Sequence, residues 1–321
     1  MTRCLLHPDF MLKKAGLQFS AIAGKIVPGF DMLLRQPSIP QTKDFRKMAY
    51  FRTRDGCSLY YETIGFELAR PVVIFLNGTL QTAIYWKTLA ASLKPEFRSL
   101  LYDARGQGES ELGQLPLSLE LHMDDLSSLI RHLELGPVSL VGLSHGALLA
   151  FAMARRSPEA VSRLVMCSIG VRTPLRARLV VRSWMKIIES GGLEALVSAA
   201  VPHVFGEAYL VQNSRILERI AKTIVRRNRA PSLVAHLSAV AGYPSLRSML
   251  KKLDMPLLVM CGSDDPLVSI KGAAEVAEKS GGRHLVVKGA GHSIPVEAPE
   301  LFLKTVLHFL SGRWADMPEA I

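Results

Sequence analysis

The chain has 321 residues, 49% of them hydrophobic, which supports one sizeable core with an insertion. No apolar run reaches the roughly 18 residues of a membrane span, and Cys4, Cys57, Cys167 and Cys261 show no paired spacing, so a spanning helix and a disulfide scaffold are both excluded. The formal net charge of +11 is unevenly spread: residues 1–47 carry +5 and residues 171–252 carry +10, while the rest is close to neutral.

Residues 1–47 read as a basic extension, either disordered or associated with a membrane. Lys13 and Lys14 precede a mildly apolar run from Ala15 to Ala23, and Lys25 and Pro28 follow. The run is too short and too weakly apolar for a secretory signal. Its charge suits peripheral contact with an anionic membrane surface. Pro37 and Pro40 read as a linker, and a functional start at Met48 is the other reading of this segment. Unpaired thiols at predicted core positions suit a reducing, cytoplasmic compartment.

The core is expected over residues 48–170 and 246–321. Its first buried strand is Val72-Val73-Ile74-Phe75-Leu76, and Asn77-Gly78-Thr79 follows. An Asn-Gly pair is ordinarily a turn. Gly78 lets the backbone turn sharply here, and the Thr79 N–H is the expected donor to an oxyanion. Downstream, Gly106-Gln107-Gly108 lacks the strand–helix setting of a dinucleotide site, and no phosphate-binding glycine loop or metal-ligand spacing is visible.

Pro137-Val138-Ser139-Leu140-Val141 predicts another buried strand, and Ala147 to Ala154 favours helix. Between them stands Gly142-Leu143-Ser144-His145-Gly146, a G-x-S-x-G placed between strand and helix. In so tight a turn, side chains two residues either side of the serine would strike neighbouring backbone, and Gly142 and Gly146 remove them. Ser144 is then exposed at the edge of a parallel sheet. The His145 N–H and the helix N-terminus point toward the same place, as a second oxyanion donor.

Residues 171–245 read as a helical insertion. Arg178 to Ile188, Leu193 to Ala200 and Ile216 to Val225 show helical spacing of apolar residues. Trp184, Phe205 and Tyr209 either face a pocket or pack the insertion onto the core. The basic excess suits an anionic acyl group, a CoA ester or a membrane surface. No nucleic-acid-binding motif accompanies it.

A serine nucleophile needs a base, and the base needs an orienting acid. The strand Pro256 to Cys261 is followed by Gly262-Ser263-Asp264-Asp265-Pro266-Leu267-Val268, and the strand His284 to Val287 by Gly289-Ala290-Gly291-His292. Both loops fall just past strand C-termini, where ligands bind in open α/β sheets. His292 is the candidate base, and Asp264 and Asp265 compete as its acid. Leu164 to Gly170, the end of the preceding strand, carries no carboxylate. His284 sits at the wrong end of its strand.

These segments resemble the α/β-hydrolase superfamily from about Tyr50 to Leu310. Asn77-Gly78 stands where most members have His-Gly, and Asp103-Ala104-Arg105-Gly106-Gln107-Gly108-Glu109-Ser110 matches the family's D-x-R-G-x-G-x-S loop. Gly142 to Gly146 matches its nucleophile elbow. Gly262 to Val268 is similar to its G-x-x-D-x-x-V acid loop, which aligns Asp265 as the acid, and Gly291 to Glu300 to its G-H-x-x-x-x-E-x-P-E histidine loop. The resemblance implies a mostly parallel sheet flanked by helices, with the cap inserted after the sixth strand. It implies a Ser144–Asp265–His292 triad, an oxyanion hole of the Thr79 and His145 N–H groups supported by Asn77 and Gly78, and no cofactor or metal. The expected substrate is a small ester, lactone or thioester. Asparagine at position 77 is similar to some acyltransferase members, so acyl transfer to an alcohol or amine is the alternative, and a non-catalytic ligand receptor is another. Oligomeric state is not legible.

Overall fold

The structure is a computed structural model and describes residues 47–313. The membrane contact expected of residues 1–47 falls, apart from Lys47, outside the described residues, as does Cys4.

Eight strands form one sheet: β1 Lys47–Arg52, β2 Ser58–Ile64, β3 Val72–Leu76, β4 Arg98–Tyr102, β5 Val138–Leu143, β6 Val161–Cys167, β7 Leu257–Gly262 and β8 Arg283–Val287. Their order is β1-β2-β4-β3-β5-β6-β7-β8. Strand β2 pairs antiparallel with β1 and β4, and every later pairing is parallel. Strand order reverses between β3 and β5, whose register ends on Leu76 opposite Gly142. That switch point opens a crevice beyond the strand C-termini, where ligands bind in such sheets.

The strands are continuously apolar because both sheet faces are covered. All five residues of β3 and all six of β5 and β7 are buried. One face packs under helices α1 Lys87–Leu93 and α11 Pro299–Leu310, through Trp86, Leu93, Phe302, Val306 and Phe309. The other packs under α2 Leu119–His132, α3 His145–Arg156 and α9 Ile270–Ser280, through Leu126, Leu129, Phe151 and Val276. Local signals set the ends of these helices. Ser269 caps α9 by accepting the Gly272 N–H at 3.1 Å, and Gly281 ends it at φ 73°.

Between β6 and β7 the chain forms α4 Leu175–Val204, α5 Glu207–Gln212, α6 Leu217–Arg226, α7 Ala230–Gly242 and α8 Leu246–Met249. Gly192 breaks α4 with φ 76° and ψ −171°. Helices α4 to α7 share a core of their own, which closes onto Leu80, Tyr85, Leu267 and Val296 of the sheet domain, whereas Leu246 and Met249 of α8 pack into the core under the sheet. Trp184, Phe205 and Tyr209 lie in that core, and the Phe205 and Tyr209 rings stack at 4.7 Å. They pack the insertion. Among the described residues, no helix is long and apolar enough to cross a membrane.

Helix α7 has no clear signature in the sequence. Its buried residues are Ser232, Leu233, His236 and Leu237. Two polar side chains on the inner face blur the apolar stripe from which a helix is read.

Candidate active site

The turn from β5 into α3 holds Ser144 at φ 52° and ψ −111°. Such a conformation costs a non-glycine residue on the order of 1–3 kcal/mol and persists only where the surroundings enforce it. The enforcement is visible. The Ser144 N–H donates to the Cys167 carbonyl at 2.8 Å, and the Ser144 carbonyl accepts the Leu148 N–H at 3.0 Å. A Cβ on Gly142 would strike the Gly146 carbonyl, and one on Gly146 would strike the carbonyls of Leu76 and Asn77. Ser144 is half-buried. His145 opens α3, where N–H groups lack an intrahelical acceptor.

The loop after β3 is held by side chains. Asn77 Nδ2 donates to the Tyr102 carbonyl and to Asp103 Oδ1, both at 3.1 Å, and Asn77 Oδ1 accepts from Trp86 Nε1 at 2.9 Å. Asp103 Oδ1 also accepts the Ala83 N–H at 2.6 Å, and Oδ2 the Glu109 N–H at 3.0 Å. Burial pushes the Asp103 carboxyl up, and these hydrogen bonds pull it back. At Gly78 the N–H donates to Gln81 Oε1 at 3.0 Å, and the carbonyl accepts from Gln107 Nε2 at 3.1 Å. Thr79 follows, and among the described residues its N–H has no acceptor. Neither Gln81 nor Gln107 stands out in the sequence, because a glutamine that bonds backbone has no spacing signature.

Past β7 and β8 the two loops meet. His292 Nδ1 lies 2.7 Å from Asp265 Oδ2, and Asp265 Oδ1 accepts the N–H groups of Leu267 and Val268 at 2.8 and 3.1 Å. The Asp265 side chain is fully buried and that of His292 is 10% exposed. Asp264 turns to solvent, and its Oδ1 accepts from Ser263 Oγ at 2.7 Å. His284 sits at the start of β8, where its Nε2 is 3.3 Å from Cys261 Sγ.

Two further residues hold the His292 loop. Ser168, at φ 54° beyond β6, donates from Oγ to the His292 carbonyl at 2.7 Å. Glu297 Oε2 accepts the Gly291 N–H at 2.8 Å and the Gly206 N–H at 2.7 Å, and Oε1 accepts the Ser293 N–H at 2.9 Å. Burial raises the Glu297 carboxyl, and the three N–H groups oppose that shift. Gly206 belongs to the insertion, so one carboxylate ties the histidine loop to the cap. Glu297 is part of the histidine-loop pattern in the sequence, but its partners are not readable there.

The fold also gathers three histidines that no spacing connects. His122 on α2, His145 on α3 and His236 on α7 are buried, with one ring nitrogen of each within 4.8 Å of the other two. His236 Nε2 lies 3.0 Å from Thr79 Oγ1. Elsewhere Arg105 is buried in a bidentate pair with Asp125 at 2.8 and 2.9 Å, and also binds Asp55, which fixes its glycine-rich loop.

A family model described as "Alpha/beta hydrolase family" matches residues 73–305. A Bacillus subtilis protein provisionally named 2-succinyl-6-hydroxy-2,4-cyclohexadiene-1-carboxylate synthase is 31% identical over 76% of this chain and 92% of its own. The 3-oxoadipate enol-lactonase 2 of Acinetobacter baylyi is 24% identical over 78% of this chain and 92% of its own. The crystal structure of the enol-lactonase from Burkholderia xenovorans LB400 superposes with a TM-score of 0.75 and 26% identity, over 82% of this chain and 100% of that one.

Proposed function

The chain belongs to the alpha/beta hydrolase family, and from that premise we propose that it is a serine hydrolase cleaving a carboxylic ester, lactone or thioester through an acyl-enzyme on Ser144. Ser144 Oγ attacks the carbonyl carbon while His292 Nε2 takes its proton. Asp265 holds the imidazole by Nδ1 and stabilises the imidazolium. The carbonyl oxygen becomes an oxyanion facing the N–H groups of Thr79 and His145. His292 then returns the proton to the leaving group. In the second half it activates water, which releases the acid and frees Ser144.

The observation that carries this reading is the 2.7 Å contact of His292 Nδ1 with a buried Asp265. It lies on the same sheet edge as a serine whose backbone is held at φ 52°. Strained backbone is retained where function uses it. The enol-lactonase names among the relatives support a small ester or lactone substrate.

The test is a series of p-nitrophenyl esters of graded chain length, with a fluorophosphonate probe for the nucleophile. The wild-type chain should turn over a short or medium ester and take one probe on Ser144. Ser144→Ala and His292→Ala should each lose on the order of 10⁴ to 10⁶ in rate with the fold intact. Near-wild-type turnover in Ser144→Ala would overturn the reading. Product analysis with added alcohols tells water from an alcohol as the acyl acceptor.

A further inference from the structure

We propose that His122, His145 and His236 bind a divalent transition-metal ion of the zinc class, held between the cap and the sheet domain. The three side chains come from α2, α3 and α7, so the site exists only when the cap is docked. The ring centroids are 5.2 Å apart for His122 and His145, and 4.5 Å for His145 and His236. Zinc–nitrogen bonds of about 2.1 Å in a tetrahedral set put ligand nitrogens about 3.4 Å apart. One nitrogen of each ring already lies within 4.8 Å of the other two, and a bound ion would draw them in to that spacing.

The contacts on the far sides of two of the three rings favour a metal. A ligating histidine almost always gives its other ring N–H to an oxygen, which fixes the tautomer. The Asn77 carbonyl beside the His145 ring favours its protonated form. A carbonyl only accepts, so the nitrogen facing it is the one suited to carry the proton. The remaining nitrogen, Nε2, keeps its lone pair and has no partner. His236 Nε2 meets the Thr79 hydroxyl, which can accept its proton, and Nδ1 has no hydrogen-bond partner among the described residues. Among the described residues, both nitrogens of His122 lack a hydrogen-bond partner as well. Buried polar atoms are nearly always satisfied, and three neighbouring rings, each with a nitrogen that has no hydrogen-bond partner among the described residues, offer one lone pair apiece to a shared electron-pair acceptor.

Burial keeps the rings in the form that binds metal. It lowers His122 to about 3 and His236 to about 4, and holds His145 well below the ordinary histidine range. Imidazole ligands without a carboxylate disfavour magnesium and calcium, which take oxygen. A metal here would clamp α7 of the cap to α2 and to the residue after Ser144. It would also steady Thr79 through His236.

The experiment is a Co²⁺ titration of the untagged full chain after chelator treatment, read by visible absorption, with Zn²⁺ competition and thermal melts in parallel. The wild-type chain should bind about one equivalent with the absorption of a tetrahedral site. Zn²⁺ should displace the Co²⁺ and raise the melting temperature by several degrees, because binding to the folded state alone stabilises it. His122→Leu and His236→Leu should lose the absorption and the melting shift. Thr79→Val keeps all three ligands and removes the partner of His236, so it should weaken binding by on the order of 10- to 100-fold. That variant decides the matter if a leucine variant fails to fold. A wild-type chain that binds no Co²⁺, or Co²⁺ affinity unchanged in the variants, would overturn the site. The readout is metal binding and not ester turnover, so its failure leaves the hydrolase reading standing.

Discussion

Asp264 and Asp265 are neighbours with opposite surroundings. Asp265 is buried and accepts from two backbone N–H groups and from His292, whereas Asp264 is exposed and bonds only its neighbour Ser263 among the described side chains. Asp265→Asn should therefore cost about 10⁴ in kcat, because an amide neither stabilises the imidazolium nor selects the tautomer with hydrogen on Nδ1. Asp264→Asn should leave kcat within a few-fold. Steady-state kinetics on one soluble ester compare the two, and the reverse ranking would move the acid to Asp264. Nothing local in the sequence separates these residues, since both are good turn formers. What separates them is a contact made 27 residues away, and only the resemblance to a known loop pattern picks Asp265 beforehand. Ser168 has no such pattern behind it. A serine at the end of a strand is unremarked until the fold brings it to a carbonyl 124 residues on.

At the scale of elements, the histidine loop is held by short-range and long-range restraints together. The tight approach of Gly262 to the Ala290 and Gly291 carbonyls fixes its height above β7, and Gly291 packs against the backbone of Phe205 and Gly206 from the cap. Glu297 joins these pieces by accepting three N–H groups. Glu297→Ala would strand all three in a largely buried place, at about 1–3 kcal/mol for each group left unsatisfied. The loop that carries His292 should then loosen, and a displacement near 1 Å costs on the order of 10²-fold in rate. Kinetics should show a fall in kcat larger than any rise in KM, with a lower melting temperature. An unchanged kcat would mean that the glycine contacts hold the loop without it. The strands were legible because coverage of both sheet faces makes them continuously apolar. Helix α7 was not, because Ser232 and His236 point inward where the pattern asks for apolar residues.

For the whole molecule, the strongest pattern in the sequence is the separation of charge, and it divides along the architecture. The near-neutral parts build the sheet and its loops. The segment at +10 lies wholly between β6 and β7, and the segment at +5 lies before β2. Every residue assigned to the reaction falls between Asn77 and Glu297. The sheet that carries them begins at Lys47, and β1 pairs with β2 along its full length. A chain lacking residues 1–46 keeps all of these elements and should hydrolyse a soluble ester with the kcat/KM of the full chain. Loss of that activity would show that the extension packs on the core. The positive charge of the extension adds a second expectation. Vesicles containing an anionic phospholipid should retain the full chain more strongly than the shortened one, with a contribution of about 1 kcal/mol for each basic residue near the surface. Raising the salt should erase the difference, because the attraction is screened over about 10 Å at 0.1 M. The comparison is internal, since the basic cap is common to both forms and any binding it contributes cancels. Equal retention of the two forms at low salt would remove the membrane role from the extension and leave the cap as the remaining basic surface.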